Sequence, residues 1–213
     1  MIYIPVHSLV MPILLTIVLA LLDIDFSGPY MTLLYYGVSF VLVLAIMFRY
    51  LKASFSDFID EFWRALLAVV LGYLLYRILL VIAVFALSQA MEGVNPNQEA
   101  IAKEIEANFR VMIVVSALLA PIVEEAMFRG ALFGTIRQKS RIVAYIVSTI
   151  LFSLFHLWDF LLFDFSWETL LFLVQYIPAG LALAWCYDRS STIWSPILLH
   201  AAINIIAMLQ SGS

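Results

Sequence analysis

Uncharged apolar runs, several of them long enough to cross a bilayer, recur along nearly the whole of this chain. About 20 such residues span a hydrocarbon core ~30 Å thick. No water is present there to satisfy backbone N–H and C=O groups, so each run must close its hydrogen bonds internally, as a helix. Seven segments can be drawn, at roughly 6–22, 30–48, 65–91, 110–133, 142–163, 169–187 and 192–210. The expected fold is all-α, a polytopic transmembrane helical bundle of about seven spans (six to eight). One greasy soluble core is the alternative. It fails on composition: 65% hydrophobic and 12% charged residues, against roughly 45–50% and about 25% in soluble domains. The 213 residues leave room for one integral membrane domain and no sizeable soluble module.

Charge sits in the short connections and alternates along the chain. Arg49, Lys52 and Arg64 flank the second loop, Arg137, Lys139 and Arg141 the fourth, and Arg189 the sixth. The first loop (Asp23, Asp25) and the fifth (Asp159, Asp164, Glu168) contain no Lys or Arg, and the third is mixed, with Lys103 and Arg110 among more numerous acids. Basic loops stay on the cytoplasmic side, which predicts a multi-pass cell-membrane protein with its N-terminus inside and independently supports the seven-helix count. The initial run lacks a basic n-region and a small-residue cleavage site, so it reads as a retained first helix. No basic tract points to nucleic acid. The one cysteine, Cys186, rules out a disulfide framework within the chain.

An ionisable group at mid-helix costs at least ~2.5–3.5 kcal/mol on insertion scales, so such groups face the bundle interior and have a task. The fourth segment holds Glu124, Glu125 and Arg129. The fifth carries Phe152-Ser153-Leu154-Phe155-His156, and the seventh has His200 with Asn204 four residues on. Glu125 and Arg129 stand at i and i+4 and can neutralise each other. Glu124 is rotated by about 100° from Glu125, so the two carboxylates need not compete for one partner. Pro121 lacks a donor, which predicts a kink and a freed carbonyl near the glutamates. Counting ~1.5 Å per residue from the basic ends puts Glu124 about 15 Å deep, His200 about 12 Å and His156 about 20 Å. If these residues converge, the chemistry is hydrolytic. A carboxylate beside a neutral imidazole takes a proton from water, and a second imidazole with an amide supports an oxyanion. Two His and one Glu are equally a known zinc set, with Glu124, His156 and His200 as its ligands if a metal is used. The residues alone leave metal-activated and carboxylate-activated water open.

The run from Glu124 to Arg129 fits an EExxxR motif, Phe152 to His156 fits FxxxH, and His200 to Asn204 fits a His followed four residues later by Asn. In order, spacing and placement these resemble the CPBP intramembrane proteases, a family that includes CAAX prenyl endopeptidases and bacterial Abi or bacteriocin-immunity proteins. The resemblance covers roughly residues 110–210. It implies a catalytic helical core over 110–213, with the helices of 1–109 as scaffold or gate. It further implies a peptidase acting on a membrane protein or peptide, prenylated or not. Glu124 and His156 would activate water, and His200 and Asn204 would stabilise the oxyanion, His200 becoming a ligand if zinc is used. Glu125 and Arg129 would support the site or orient substrate. The runner-up is a non-catalytic membrane regulator or immunity protein working through helix contacts. A small transporter gains little, because no inverted repeat is visible.

The remaining polar and aromatic residues have plainer readings. Arg77, mid-span beside Tyr73 and Tyr76, is expected to form a structural ion pair with a buried carboxylate, one of the site glutamates included, with a substrate carboxyl group as the alternative partner. Trp63, Trp158, Trp167, Trp185 and Trp194 read as interface anchors. Asp159 is expected to end the fifth span, and His7 to be interfacial.

Overall fold

The computed structural model describes residues 10–24 and 28–211, so the expectations for His7 and Asp25 lie outside the described residues. Among the described residues there are helices and no strand. In order these are α1 (Met11–Leu21), α2 (Pro29–Asp60), α3 (Phe62–Ala90), α4 (Pro96–Ala107), α5 (Phe109–Arg137), α6 (Arg141–Phe155), α7 (Trp158–Phe163), α8 (Trp167–Ser190) and α9 (Trp194–Ser211). Four of them, α2, α3, α5 and α8, are long and apolar enough to cross a membrane, and α1, α6 and α9 are shorter apolar helices. The helical membrane bundle is as expected. The count of seven is reached only by including the shorter helices.

Local chemistry sets the helix starts. Pro96 opens α4 behind Asn95, whose Oδ1 accepts the backbone N–H groups of Asn97 at 3.0 Å and Gln98 at 3.4 Å. Asn108 caps α5 through Val111 N–H, Ser140 caps α6 through Val143 N–H, and Ser166 caps α8 through Thr169 N–H. Each satisfies a donor that the first helical turn leaves unpaired.

Two boundaries differ from the sequence reading in ways that matter for the site. The helix carrying Glu124 continues past Phe133 to Arg137. That moves Glu124 to ~20 Å from the basic end, close to the ~22 Å for His156 along α6, so the apparent depth mismatch between these two residues closes. The fifth segment is not one helix. α6 ends at Phe155, the chain turns at His156 and Leu157, and α7 follows.

Helix α5 is the hub, with every residue from Leu119 to Arg129 buried. Helices α3, α8 and α9 cross closely at Gly72, where an added Cβ would lie 2.7 Å from Leu199 Cδ2 and 3.4 Å from Cys186 Cβ. Small residues permit this approach where no hydrophobic force drives helices together in lipid. The start of α9 is fastened to α2: Thr192 Oγ1 donates to the Ser54 carbonyl at 2.8 Å, and Ile193 N–H donates to Ser54 Oγ at 2.8 Å. Trp194 joins this fastening, its Nε1–H donating to the Leu51 carbonyl at 3.1 Å. It is therefore a packing residue, whereas Trp63 and Trp167 are exposed, as anchors should be.

Candidate active site

Helix α5 changes pitch on both sides of the glutamates. Residues Val115–Leu119 and Ala126–Phe133 are π-helical, and Ala120–Glu125 between them is α-helical. In the first π turn Ala120 N–H bonds the Val115 carbonyl, five residues back. The next donor in that register is residue 121, which is proline and has none. The Ser116 carbonyl is therefore left over, and Asn204 Nδ2 of α9 donates to it at 2.9 Å. The carbonyl expected to be freed by Pro121 is present, and Asn204 is the residue that claims it.

The two glutamates point to different partners, as their 100° offset requires. Glu124 Oε1 accepts the hydroxyl of Tyr36 at 2.7 Å. Glu124 Oε2 is buried and has no hydrogen-bond partner. It faces His156 Nε2 and His200 Nε2, each 3.9 Å away. Glu125 Oε1 accepts from Arg129 Nη1 at 2.9 Å and lies 2.8 Å from His200 Nδ1. The carboxylates thus share His200, one on each ring nitrogen, which the helical offset alone did not disclose.

Hydrogen bonding selects the histidine tautomers. His156 Nδ1 lies 2.8 Å from the Phe152 carbonyl, which can only accept, so Nδ1 carries the hydrogen. His200 Nδ1 likewise donates to the Glu125 carboxylate. Both Nε2 atoms are therefore turned toward Glu124 Oε2. The His156 ring is also fixed by its faces, with Phe152 at 4.5 Å and Tyr176 stacked at 4.5 Å and 28°. Tyr176 is in turn held from α4: its hydroxyl accepts from Asn97 Nδ2 at 2.9 Å and donates to Asn95 Oδ1 at 3.3 Å.

Arg129 is fully buried. Its Nη2 donates to the Gly180 carbonyl at 3.0 Å, and its guanidinium carbon lies 4.5 Å from the Phe152 ring centroid. The Glu125–Arg129 pair foreseen at i and i+4 is formed, and it holds His200 rather than reaching into open space. Gly180 permits the close approach of α8 to α6 here, because an added Cβ would sit 2.9 Å from Thr149 Cγ2 and 3.2 Å from Thr149 Cα.

Glu124, His156 and His200 are therefore brought together, with Glu125 and Arg129 behind His200. Asn204 is bonded to Ser116, one turn along α9. Arg77 is elsewhere. It is exposed on the outer side of α3, and no ion pair among the described residues includes it, so the expected structural pair is not formed. Tyr73 and Tyr76 pack against the core while the residue after them turns outward. Asp159 is exposed and apart from the site. Three contributors escaped the sequence reading: Tyr36, Tyr176 and Gly180. The available signal was a tyrosine hydroxyl in mid-run in the second segment. Through Tyr36, the part taken as scaffold or gate reaches Glu124 directly.

A 3.9 Å gap is too long for a hydrogen bond, and a water ~2.8 Å from both atoms would bridge it at an angle of about 90°. Zinc with nitrogen and oxygen ligands at ~2.0–2.2 Å would place donor atoms about 3.3 Å apart in a tetrahedron. Both separations from Glu124 Oε2 are wider, at 3.9 Å. Among the described residues no group of three or more His, Cys, Asp or Glu side chains is arranged to hold a metal ion. As they stand, the donors do not fit a tetrahedral zinc.

Residues 106–206 match the family described as type II CAAX prenyl endopeptidase Rce1-like. The chain is 30% identical over 117 residues to the putative membrane peptidase YdiL of Bacillus subtilis (strain 168), covering 54% of this chain and 43% of that protein. It is 27% identical over 147 residues to the membrane-embedded CAAX protease MroQ of Staphylococcus aureus (strain USA300), covering 67% and 53%. It is 33% identical over 101 residues to the UPF0177 protein YaiF of Lactococcus lactis subsp. lactis (strain IL1403), covering 46% and 39%. The alignments span about half the length of these curated relatives or less. No solved structure matches.

Proposed function

We propose, on the match of residues 106–206 to the Rce1-like family, that the chain is an intramembrane endopeptidase hydrolysing a peptide bond of a membrane protein or peptide. The observation that carries the reading is the convergence of two imidazole Nε2 atoms, each at 3.9 Å, on a buried carboxylate oxygen without a partner.

In this mechanism Glu124 Oε2 and His156 Nε2 hold the attacking water. Glu124 takes one of its protons as the oxygen bonds to the scissile carbonyl carbon. The carbonyl π electrons move to oxygen, giving a tetrahedral oxyanion. Collapse restores the carbonyl, breaks the C–N bond and passes the proton from Glu124 to the departing amine. His200 can donate to the oxyanion through Nε2 only as the imidazolium, a charge that would lie between Glu124 and Glu125. Asn204 has a second N–H beside the one given to Ser116, and that hydrogen is its contribution to the oxyanion. Tyr36 orients Glu124 by occupying Oε1, which leaves Oε2 to act as base. No step requires a metal, a choice supported by the wide donor spacing. Cleavage by purified protein is expected to survive a chelator. The basic loops support an N-terminus on the cytoplasmic side.

The test is Glu124→Gln, which keeps shape and removes the base. Membrane peptidomes of cells with the native chain and with this variant should differ by a set of cleaved products, while both proteins accumulate equally. An unchanged peptidome would sink the reading. Full biological activity in a Glu124→Gln/His156→Ala double variant would instead favour a regulator acting through helix contacts.

A further inference from the structure

Two arginines lie deep within the apolar helices, and the fold treats them in opposite ways. Arg129 is fully buried, with a carboxylate, a backbone carbonyl and an aromatic face around it. Arg77 is exposed at the centre of α3. It stands ~22 Å from the Phe62 end and ~20 Å from the Ala90 end. A ~30 Å hydrocarbon core therefore leaves it about 15 Å from either surface, beyond what an extended guanidinium reaches by snorkelling. Its neighbours on that face are Leu67, Val70, Leu74, Ile78, Val81 and Phe85, all exposed. This is an apolar stripe at helical spacing with one uncompensated cation in its middle. No hydrogen bond or ion pair among the described residues engages that cation.

The charge says what must cover the stripe. An arginine in hydrocarbon is paired with an opposite charge or with backbone carbonyls, or lines a water-filled cavity. Between packed helices whose carbonyls are already bonded, a carboxylate at the same depth is the partner that matches its charge. A second copy of this chain offers no free carboxylate in the middle of a long span among its described residues. Glu124 and Glu125 are buried in the site. Asp188 is held by Arg137, Arg141 and Tyr145. Asp57, Asp60 and Glu61 mark the α2–α3 turn, and Glu92 follows the other end of α3. The remaining described acids lie in α4, in the short α7 beyond the end of α6 (Asp159), in the first turn of α8 (Glu168) or in the connections. A symmetric pairing on α3 would also set Arg77 against Arg77.

We propose that the outer face of α3, centred on Arg77, docks a transmembrane helix of a different protein that carries an Asp or Glu at mid-bilayer depth. The apolar stripe packs along that helix and the guanidinium pairs with its carboxylate, giving depth and register at once. This surface lies on the side of α3 away from Glu124 and does not depend on the peptidase reading.

The experiment uses the full chain in phosphatidylcholine vesicles, donor-labelled, with acceptor-labelled synthetic Leu/Ala transmembrane helices bearing either Asp or Leu at the centre. Energy transfer should report association of the Asp helix about tenfold tighter than the Leu helix, the scale of one polar contact between helices in lipid. Arg77→Leu should abolish the difference and Arg77→Lys retain part of it. Leu74→Trp, a steric block one turn away that leaves the charge in place, should weaken the Asp helix in a protein of unchanged helicity. Equal association of the two helices with the native chain would overturn the proposal. An Asp preference surviving Arg77→Leu would overturn it too. So would energy transfer between copies of the chain that is lost on Arg77→Leu, since that would put a second copy on this face.

Discussion

Replacing Glu125 by glutamine asks how the buried cation of Arg129 is held. Glu125 Oε1 accepts from Arg129 Nη1 at 2.9 Å and from His200 Nδ1 at 2.8 Å, and neither the glutamate nor the arginine side chain is exposed. Glutamine keeps the shape and one acceptor oxygen but removes the charge. The two charge-assisted bonds drop to neutral strength, at ~1 kcal/mol each. The guanidinium also loses its counter-charge, and breaking a buried pair from one side costs about 3–5 kcal/mol in all. Arg129→Met should cost about the same, because it strands Glu125. In the double variant no charge is stranded, so its cost should fall short of the summed single costs by about 2 kcal/mol or more. The assay is reversible unfolding in mixed detergent–SDS micelles, followed by helical circular dichroism for the native chain, both single variants and the double. Additivity within about 0.5 kcal/mol would refute the reasoning. It would mean that the Gly180 carbonyl and the Phe152 ring carry the guanidinium without help from Glu125.

Three further outcomes follow from the geometry. Asn204→Ala should strand the Ser116 carbonyl and cost about 1–3 kcal/mol in the same unfolding assay. Adding Pro121→Ala, which restores an N–H able to reach that carbonyl, should recover part of it. Gly180→Ala should overpack against Thr149 by about 1–3 kcal/mol, and Thr149→Ala should relieve only the 2.9 Å contact with Cγ2 while the 3.2 Å contact with Cα remains. On α4, burial raises the Glu104 carboxyl above its ordinary range, against a smaller opposing effect of the hydrogen bond from Thr32. A raised folded value means that its contribution to stability is complete below the unfolded pKa and is lost as pH rises through the folded one. Glu104→Gln should therefore flatten the pH dependence of the melting midpoint between acid and neutral pH. A native-like slope in the variant would assign that dependence to other groups.

Composition and the recurrence of apolar runs were enough to determine a helical membrane bundle, because lipid allows a backbone few other ways to close its hydrogen bonds. The candidate site residues were legible for a related reason. Glu124, Glu125, Arg129, His156 and His200 are costly inside apolar segments, so each stands out from its neighbours in a linear reading. Even the local pair of Glu125 with Arg129 followed from helical spacing.

What the chain could not disclose alone is long-range. Tyr36 meets Glu124 across 88 positions, and Tyr176 ties His156 to Asn97 of α4 and to Asn95, which caps it. An uncharged hydroxyl or ring carries no penalty conspicuous enough to mark it beforehand. The partner of Asn204 needed the π turn that moves the unclaimed carbonyl to Ser116, a pitch change with no residue signature beyond Pro121. Arg77 makes the same point in reverse. Sequence shows a charge in mid-span, but which side of α3 is packed inward is a property of the assembled bundle, and the bundle leaves Arg77 outside.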